Sequence, residues 1–190
     1  MSKLISVLKE EIHSDISEDH YIIDKILPFV LNSNIDELFS QANDCIDDEN
    51  FSESLIFYDL ILKKDSKNIH ALIDKGTTLQ NLGRIKSAIR SYDKALDISP
   101  DNIDALVNKG SAFHLDKKYS DAISCYDRAL KIDKKCPMAL AYKGLSLAEL
   151  GQLKEAIAYF KNALSIDKHY DLAQFSKDTA QELLKSLQGK

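Results

Sequence analysis

Ala42, Gly76, Gly110 and Gly144 stand at a constant interval of thirty-four residues, and this interval restricts the fold more than any single side chain does. A unit that recurs at such a period packs only on its neighbours. The product is an extended stack with a long surface.

The columns around these small residues agree in size as well as in spacing. Four places upstream lie Leu38, Leu72, Leu106 and Leu140, and three places downstream Cys45, Leu79, Phe113 and Leu147. Then follow Ser54, Ala88, Ala122 and Ala156, then Tyr58, Tyr92, Tyr126 and Phe160, then Ile61, Ala95, Ala129 and Ala163 beside Leu62, Leu96, Leu130 and Leu164. Within one copy, residues 103–136, Leu106, Gly110 and Phe113 share a face of a first helix. Tyr119, Ala122, Ile123, Tyr126, Ala129 and Leu130 stripe a second at steps of three and four. Small residues at 76, 88 and 95 let helices approach closely, so that Leu72, Leu79 and Tyr92 fill the adjoining grooves. Gly83 and Gly151 sit just past the first helix, where a left-handed residue turns the chain. Glu49 and Lys117 hold that slot in the other copies, so those turns need another geometry or tolerate strain.

At these residues the chain resembles the tetratricopeptide repeat family, whose period and pattern of Leu-Gly, aromatic, Ala, aromatic, Ala and Pro they follow. Four copies span 35–68, 69–102, 103–136 and 137–170. Departures are a Leu in place of the early Trp, Lys75, Lys109 and Lys143 before each Gly, and a terminal proline only at Pro100. The first copy is degenerate, with Lys64 where the others carry Ile98, Ile132 and Ile166. The resemblance implies an all-α, right-handed superhelical solenoid of antiparallel helix pairs, whose first helices line a concave groove that takes a peptide or a helix.

By that resemblance the groove is lined by Phe39, Asn43, Ile73, Asp74, Thr77, Val107, Asn108, Ser111, Met138, Tyr142 and Leu145, with Asp104, His114 and Glu149 beside them. It grows more apolar toward the C-terminal end. Chaperone-binding relatives hold an acidic C-terminal tail in a clamp of cations and two Asn. The clamp's places here are Phe39, Asn43, Asp74, Asp104 and Asn108, or, one repeat on, Ile73, Thr77, Asn108, Met138 and Tyr142. Every cation is missing, which argues against a carboxylate-clamp chaperone tail as partner.

The flanks read as helical caps. In residues 1–34, Leu4, Leu8, Ile12 and Ile16 recur four apart, and Tyr21 to Leu31 runs through Pro28, so helices are expected over 3–16 and 19–31. They cap the stack, fill its groove or pair with another chain. In 171–190 the stripe Leu172, Phe175, Thr179, Leu183 and Leu187 is expected to cover the last repeat. Residues 1–68 carry 15 Asp or Glu against 6 Lys, whereas 69–190 carry 19 Lys or Arg against 15 acids. A solvated acidic face explains this, as does steering of a basic partner or head-to-tail contact.

Little else in the chain suggests chemistry. No run of eighteen apolar residues and no signal-peptide pattern is present, which implies neither a membrane span nor secretion. Cys45, Cys125 and Cys136 lack CxxC spacing and read as reduced, cytoplasmic thiols. The five His residues form no HExxH, there is no GxSxG elbow, and six glycines make no phosphate loop. The acids Asp44, Asp47, Asp48, Glu49 and Glu53 lack the order and turn glycine of an EF-hand. An acidic pI near 5.5 disfavours nucleic acid. The expected protein is a non-catalytic interaction scaffold without cofactor or metal, binding a protein or peptide in its groove. The alternative is a self-associating module whose groove is filled by its own N-terminal helices or, as in a homodimer, by a second subunit.

Overall fold

The computed structural model describes residues 33–188. The N-terminal segment, with the helices expected over 3–16 and 19–31, lies outside the described residues. Within them the chain is all-α, and helices of 13 and 14 residues alternate: α1 Ile35–Asp47, α2 Phe51–Lys64, α3 Ile69–Asn81, α4 Ile85–Ile98, α5 Ile103–Leu115, α6 Tyr119–Ile132, α7 Pro137–Glu149 and α8 Leu153–Ile166. A longer α9, Asp171–Gln188, follows. Each odd helix packs antiparallel on the even helix after it, and each even helix packs on the next odd one. The result is a solenoid of antiparallel helix pairs closed by a capping helix.

Asparagine starts the first helices. Asn34, Asn68 and Asn102 are N-caps whose side chains accept from the backbone N–H of Glu37, Ala71 and Ala105 at 2.8, 3.0 and 2.8 Å. Asn34 also completes a capping box, donating its own N–H to Glu37 at 3.2 Å. In α7 the same slot is Cys136, which provides no side-chain cap, and Pro137 opens the helix instead.

All four turns within the pairs share one geometry. Glu49, Gly83, Lys117 and Gly151 have φ of 59°, 70°, 60° and 76°. The N–H that follows each of them closes on a carbonyl five residues back: Asn50 on Cys45, Arg84 on Leu79, Lys118 on Phe113 and Gln152 on Leu147, at 2.7 to 2.9 Å. Glu49 and Lys117 therefore adopt the left-handed turn and carry its strain, about 1–2 kcal/mol each relative to a right-handed backbone.

The glycine column has a specific packing cause. A Cβ on Gly76, Gly110 or Gly144 would meet Tyr92, Tyr126 or Phe160 at 2.4, 2.4 and 2.6 Å. The missing methyl makes room for the aromatic ring of the second helix in the same pair, and Tyr92, Tyr126 and Phe160 are fully buried. The lysines before these glycines, departures from the family pattern, link successive pairs. Lys75 reaches Asp59, Lys109 reaches Asp93 at 2.5 Å and Lys143 reaches Asp127 at 2.6 Å. Each bridge joins a first helix to the second helix of the preceding pair.

The Ile column that Lys64 interrupts lies outside the core, since Ile98, Ile132 and Ile166 are all exposed. One expectation needs correction. Along α9, Ala173, Ser176 and Ala180 are buried against the stack. Phe175, Leu183 and Leu187, expected on the covering face, are 74%, 49% and 60% exposed. No helix among the described residues is long and apolar enough to cross a membrane.

Candidate functional site

The first helices stand side by side, since α3 meets α5, α5 meets α7 and α7 meets α9. Polar side chains tie them together. Gln80 Nε2 donates to Ser111 Oγ at 3.4 Å, and His114 Nδ1 and Ser146 Oγ lie 2.9 Å apart. The second helices hold the same network from behind: the Tyr92 hydroxyl donates to Gln80 Oε1 at 2.6 Å, and the Tyr119 hydroxyl to Glu149 at 3.2 Å.

The residues expected to line a groove divide by exposure. Asn43, Thr77 and Met138 are exposed, and Asp74, Asn108, Ser111, Tyr142 and Leu145 are partly so. Phe39 is half-buried, edge-on to Tyr58 with ring centroids 6.3 Å apart. Ile73 and Val107 are corrections: at 8% and 2% exposure they belong to the hydrophobic core and present nothing to a ligand. Their column continues through Ala141, fully buried, to Phe175, 74% exposed. Burial along it tracks the presence of a following first helix, which is a property of the stack rather than of the residue.

Two positions rest on the aromatic column. Tyr142 stacks on Tyr126 with centroids 6.1 Å apart, and Asp74 takes the equivalent place in its own pair, where its charge acts on Tyr58. Burial raises the Asp74 carboxyl above its ordinary value, with His70 opposing the shift. No ion pair joins Asp74 to another of the described residues. Burial also pushes the Tyr58 and Tyr92 hydroxyls up to about 12. Burial pulls the Lys143 ammonium down, but hydrogen bonds from it to Asp127 and Tyr159 leave it above its ordinary value.

At the C-terminal end of this face a pocket of about 390 Å³ opens between α7, α8 and α9, walled by Leu145, Leu153, Phe160, Phe175, Ala180 and Leu183 with Glu149 beside them. Ser146 and His114 touch as a nucleophile and base would, but Ser146 is fully buried and closed to a substrate; burial holds the His114 ring below its ordinary value. No group of three or more His, Cys, Asp or Glu among the described residues is placed to hold a metal ion. No disulfide joins Cys45, Cys125 and Cys136.

Comparison with known proteins bears on the repeats themselves. Family models for the tetratricopeptide repeat match residues 103–136 and 137–170, and a TPR repeat model matches 78–117. No curated protein matches the sequence significantly. Among solved structures the chain is similar to MamA protein, with a TM-score of 0.66 and 23% identity over 78% of this chain and 81% of that one. It is similar to the first TPR of Spaghetti (RPAP3) bound to the HSP90 peptide SRMEEVD, with a TM-score of 0.60 and 25% identity over 64% of this chain and 96% of that one. A tetratricopeptide repeat protein from Parabacteroides merdae gives a TM-score of 0.67 and 21% identity over 80% of this chain and 60% of its own. The helix pairs, the aromatic column that fills each glycine gap and these matches together identify a tetratricopeptide-type repeat fold.

Proposed function

We propose that the chain is a non-catalytic, cytoplasmic protein-interaction scaffold that holds a peptide or helix of a partner on the face formed by its first helices. In this reading four repeats, 35–68, 69–102, 103–136 and 137–170, lie between an N-terminal segment, 1–34, and a C-terminal cap, 171–190. The observation that carries it is the stripe of partly exposed side chains on adjoining first helices, Asp74, Asn108, Tyr142 and Leu145 among them, which ends at an apolar pocket. A face backed by a rigid core and furnished with amides, hydroxyls and a few apolar anchors suits an extended or helical segment. Three cysteines that form no disulfide with one another fit a reducing compartment.

The test uses the immobilised full chain and a random dodecapeptide library. Selected peptides should lose about tenfold or more in affinity to the Leu145→Ser variant, whose anchor lines the pocket, and keep their affinity for Lys94→Ala on an exposed second-helix position. Equal affinity for Leu145→Ser and the parent chain contradicts the reading. A second reading, self-association, is favoured by Phe175, Leu183 and Leu187 of α9, large apolar residues left exposed at the end of the stack. Sedimentation of the full chain over a range of concentrations separates the two, because end-to-end packing predicts a mass that rises with concentration.

A further inference from the structure

The first-helix face has a charge unlike that of the chain around it. Residues 69–190 hold more Lys and Arg than acids. Yet the first-helix positions aligned with His70, Asp74, Thr77 and Asn81 contain, over α1, α3, α5 and α7, Asp36, Asp47, Asp74, Asp104 and Glu149 and not one Lys or Arg. The neighbouring cations are committed elsewhere, since Lys75, Lys109 and Lys143 turn back onto Asp59, Asp93 and Asp127 of the preceding second helices. Asp74 is partly buried beside Tyr58 and Tyr92, whose own ionisation its charge opposes. A carboxylate in that position weakens the fold, and an approaching cation would offset the loss.

Toward α7 the same stripe becomes apolar through Met138, Tyr142 and Leu145 and reaches the pocket of about 390 Å³ with Glu149 on its wall. That volume accepts a bulky side chain. We infer that the segment taken by this face is a cationic, apolar-anchored peptide: a large aliphatic or aromatic side chain seats in the pocket between α7, α8 and α9, and Lys or Arg side chains meet Glu149, Asp104 and Asp74. The inference rests on the reading of the first-helix face as the partner site and adds the partner's chemistry. Charge complementarity carries it, because an acidic segment would meet Asp74, Asp104 and Glu149 and no Lys or Arg at these positions.

The test begins with peptides selected from the random dodecapeptide library on the immobilised full chain, whose affinities are then measured by titration calorimetry. Lys or Arg should be enriched beside a bulky apolar residue, and replacing that Lys or Arg with Glu should weaken binding about tenfold, between the effect of an exposed and a buried ion pair. The double variant Asp74→Asn, Asp104→Asn should lose a similar factor while its denaturation midpoint holds or rises, which shows that the loss is not unfolding. Neutral or acidic peptides that still depend on Leu145, or cationic ones indifferent to the double variant, overturn this inference and leave the face reading standing. Absence of any enriched peptide, or binding indifferent to Leu145→Ser, overturns both.

Discussion

Tyr92 and Tyr126 hold equivalent places in successive helix pairs and are both fully buried, yet their hydroxyls fare differently. The Tyr92 hydroxyl donates to Gln80 at 2.6 Å, whereas the Tyr126 hydroxyl has no hydrogen-bond partner among the described residues. Phe160 fills the next place without a hydroxyl. An unsatisfied buried hydroxyl costs more than its removal, so Tyr126→Phe should raise the free energy of unfolding by about 1 kcal/mol, and Tyr92→Phe should lower it by about as much. Urea denaturation of both variants checks the pair; the opposite order would contradict the hydrogen-bond assignment. Asp74 makes a second prediction at this scale. Its carboxyl is raised in the folded chain, so the folded state holds the proton more tightly and stability falls as pH climbs from the unfolded value through the folded one. Asp74→Asn removes this contribution. The variant should match the parent at low pH and exceed it in stability above the folded pKa, as measured by denaturation at a series of pH values; a parent that stays the more stable at neutral pH contradicts the shift.

Elements meet through the glycine column. Propensity alone would make Gly110→Ala stabilising by about 1 kcal/mol in a helix interior, but the added methyl would stand 2.4 Å from Tyr126 Cε1, and that ring is fully enclosed. Gly110→Ala should therefore cost roughly 1–3 kcal/mol, and a gain in thermal midpoint would show that the ring has room to move. This helix pairing was legible in the sequence because side-chain size recurs at the period that sets the packing. The lysines at 75, 109 and 143 were legible only as departures, although Asp59, Asp93 and Asp127 recur at the same period sixteen residues earlier and carried the missing signal. Ile73 and Val107 misled for a different reason: helical spacing places them beside the groove stripe, but a neighbouring helix decides whether they are covered. The same cause misplaced the apolar stripe of α9. Periodicity at three and four marks an apolar face without saying what stands opposite it, and Phe175 is exposed where Ile73, Val107 and Ala141 are buried.

At the scale of the whole molecule, each helix pair contacts its neighbours along the chain, so stability and surface both accumulate in one dimension. The second helices supply aromatic rings, Asp partners for the bridges and the hydroxyls that fix Gln80 and Glu149. The first helices are left with a stripe that runs from carboxylates near α1 and α3 to an apolar pocket at α7 and α9. The proposed function puts the partner on this first-helix stripe, away from the second helices. The direct measurement is backbone chemical-shift mapping of the full chain titrated with a peptide selected on it. Shifts centred on Asn108, Tyr142, Leu145 and Glu149, with the outer positions of α4, α6 and α8 unmoved, are the expected result. Shifts confined to those second helices, or to the C-terminal end of α9 around Leu187, would contradict the placement of the partner on the first-helix face.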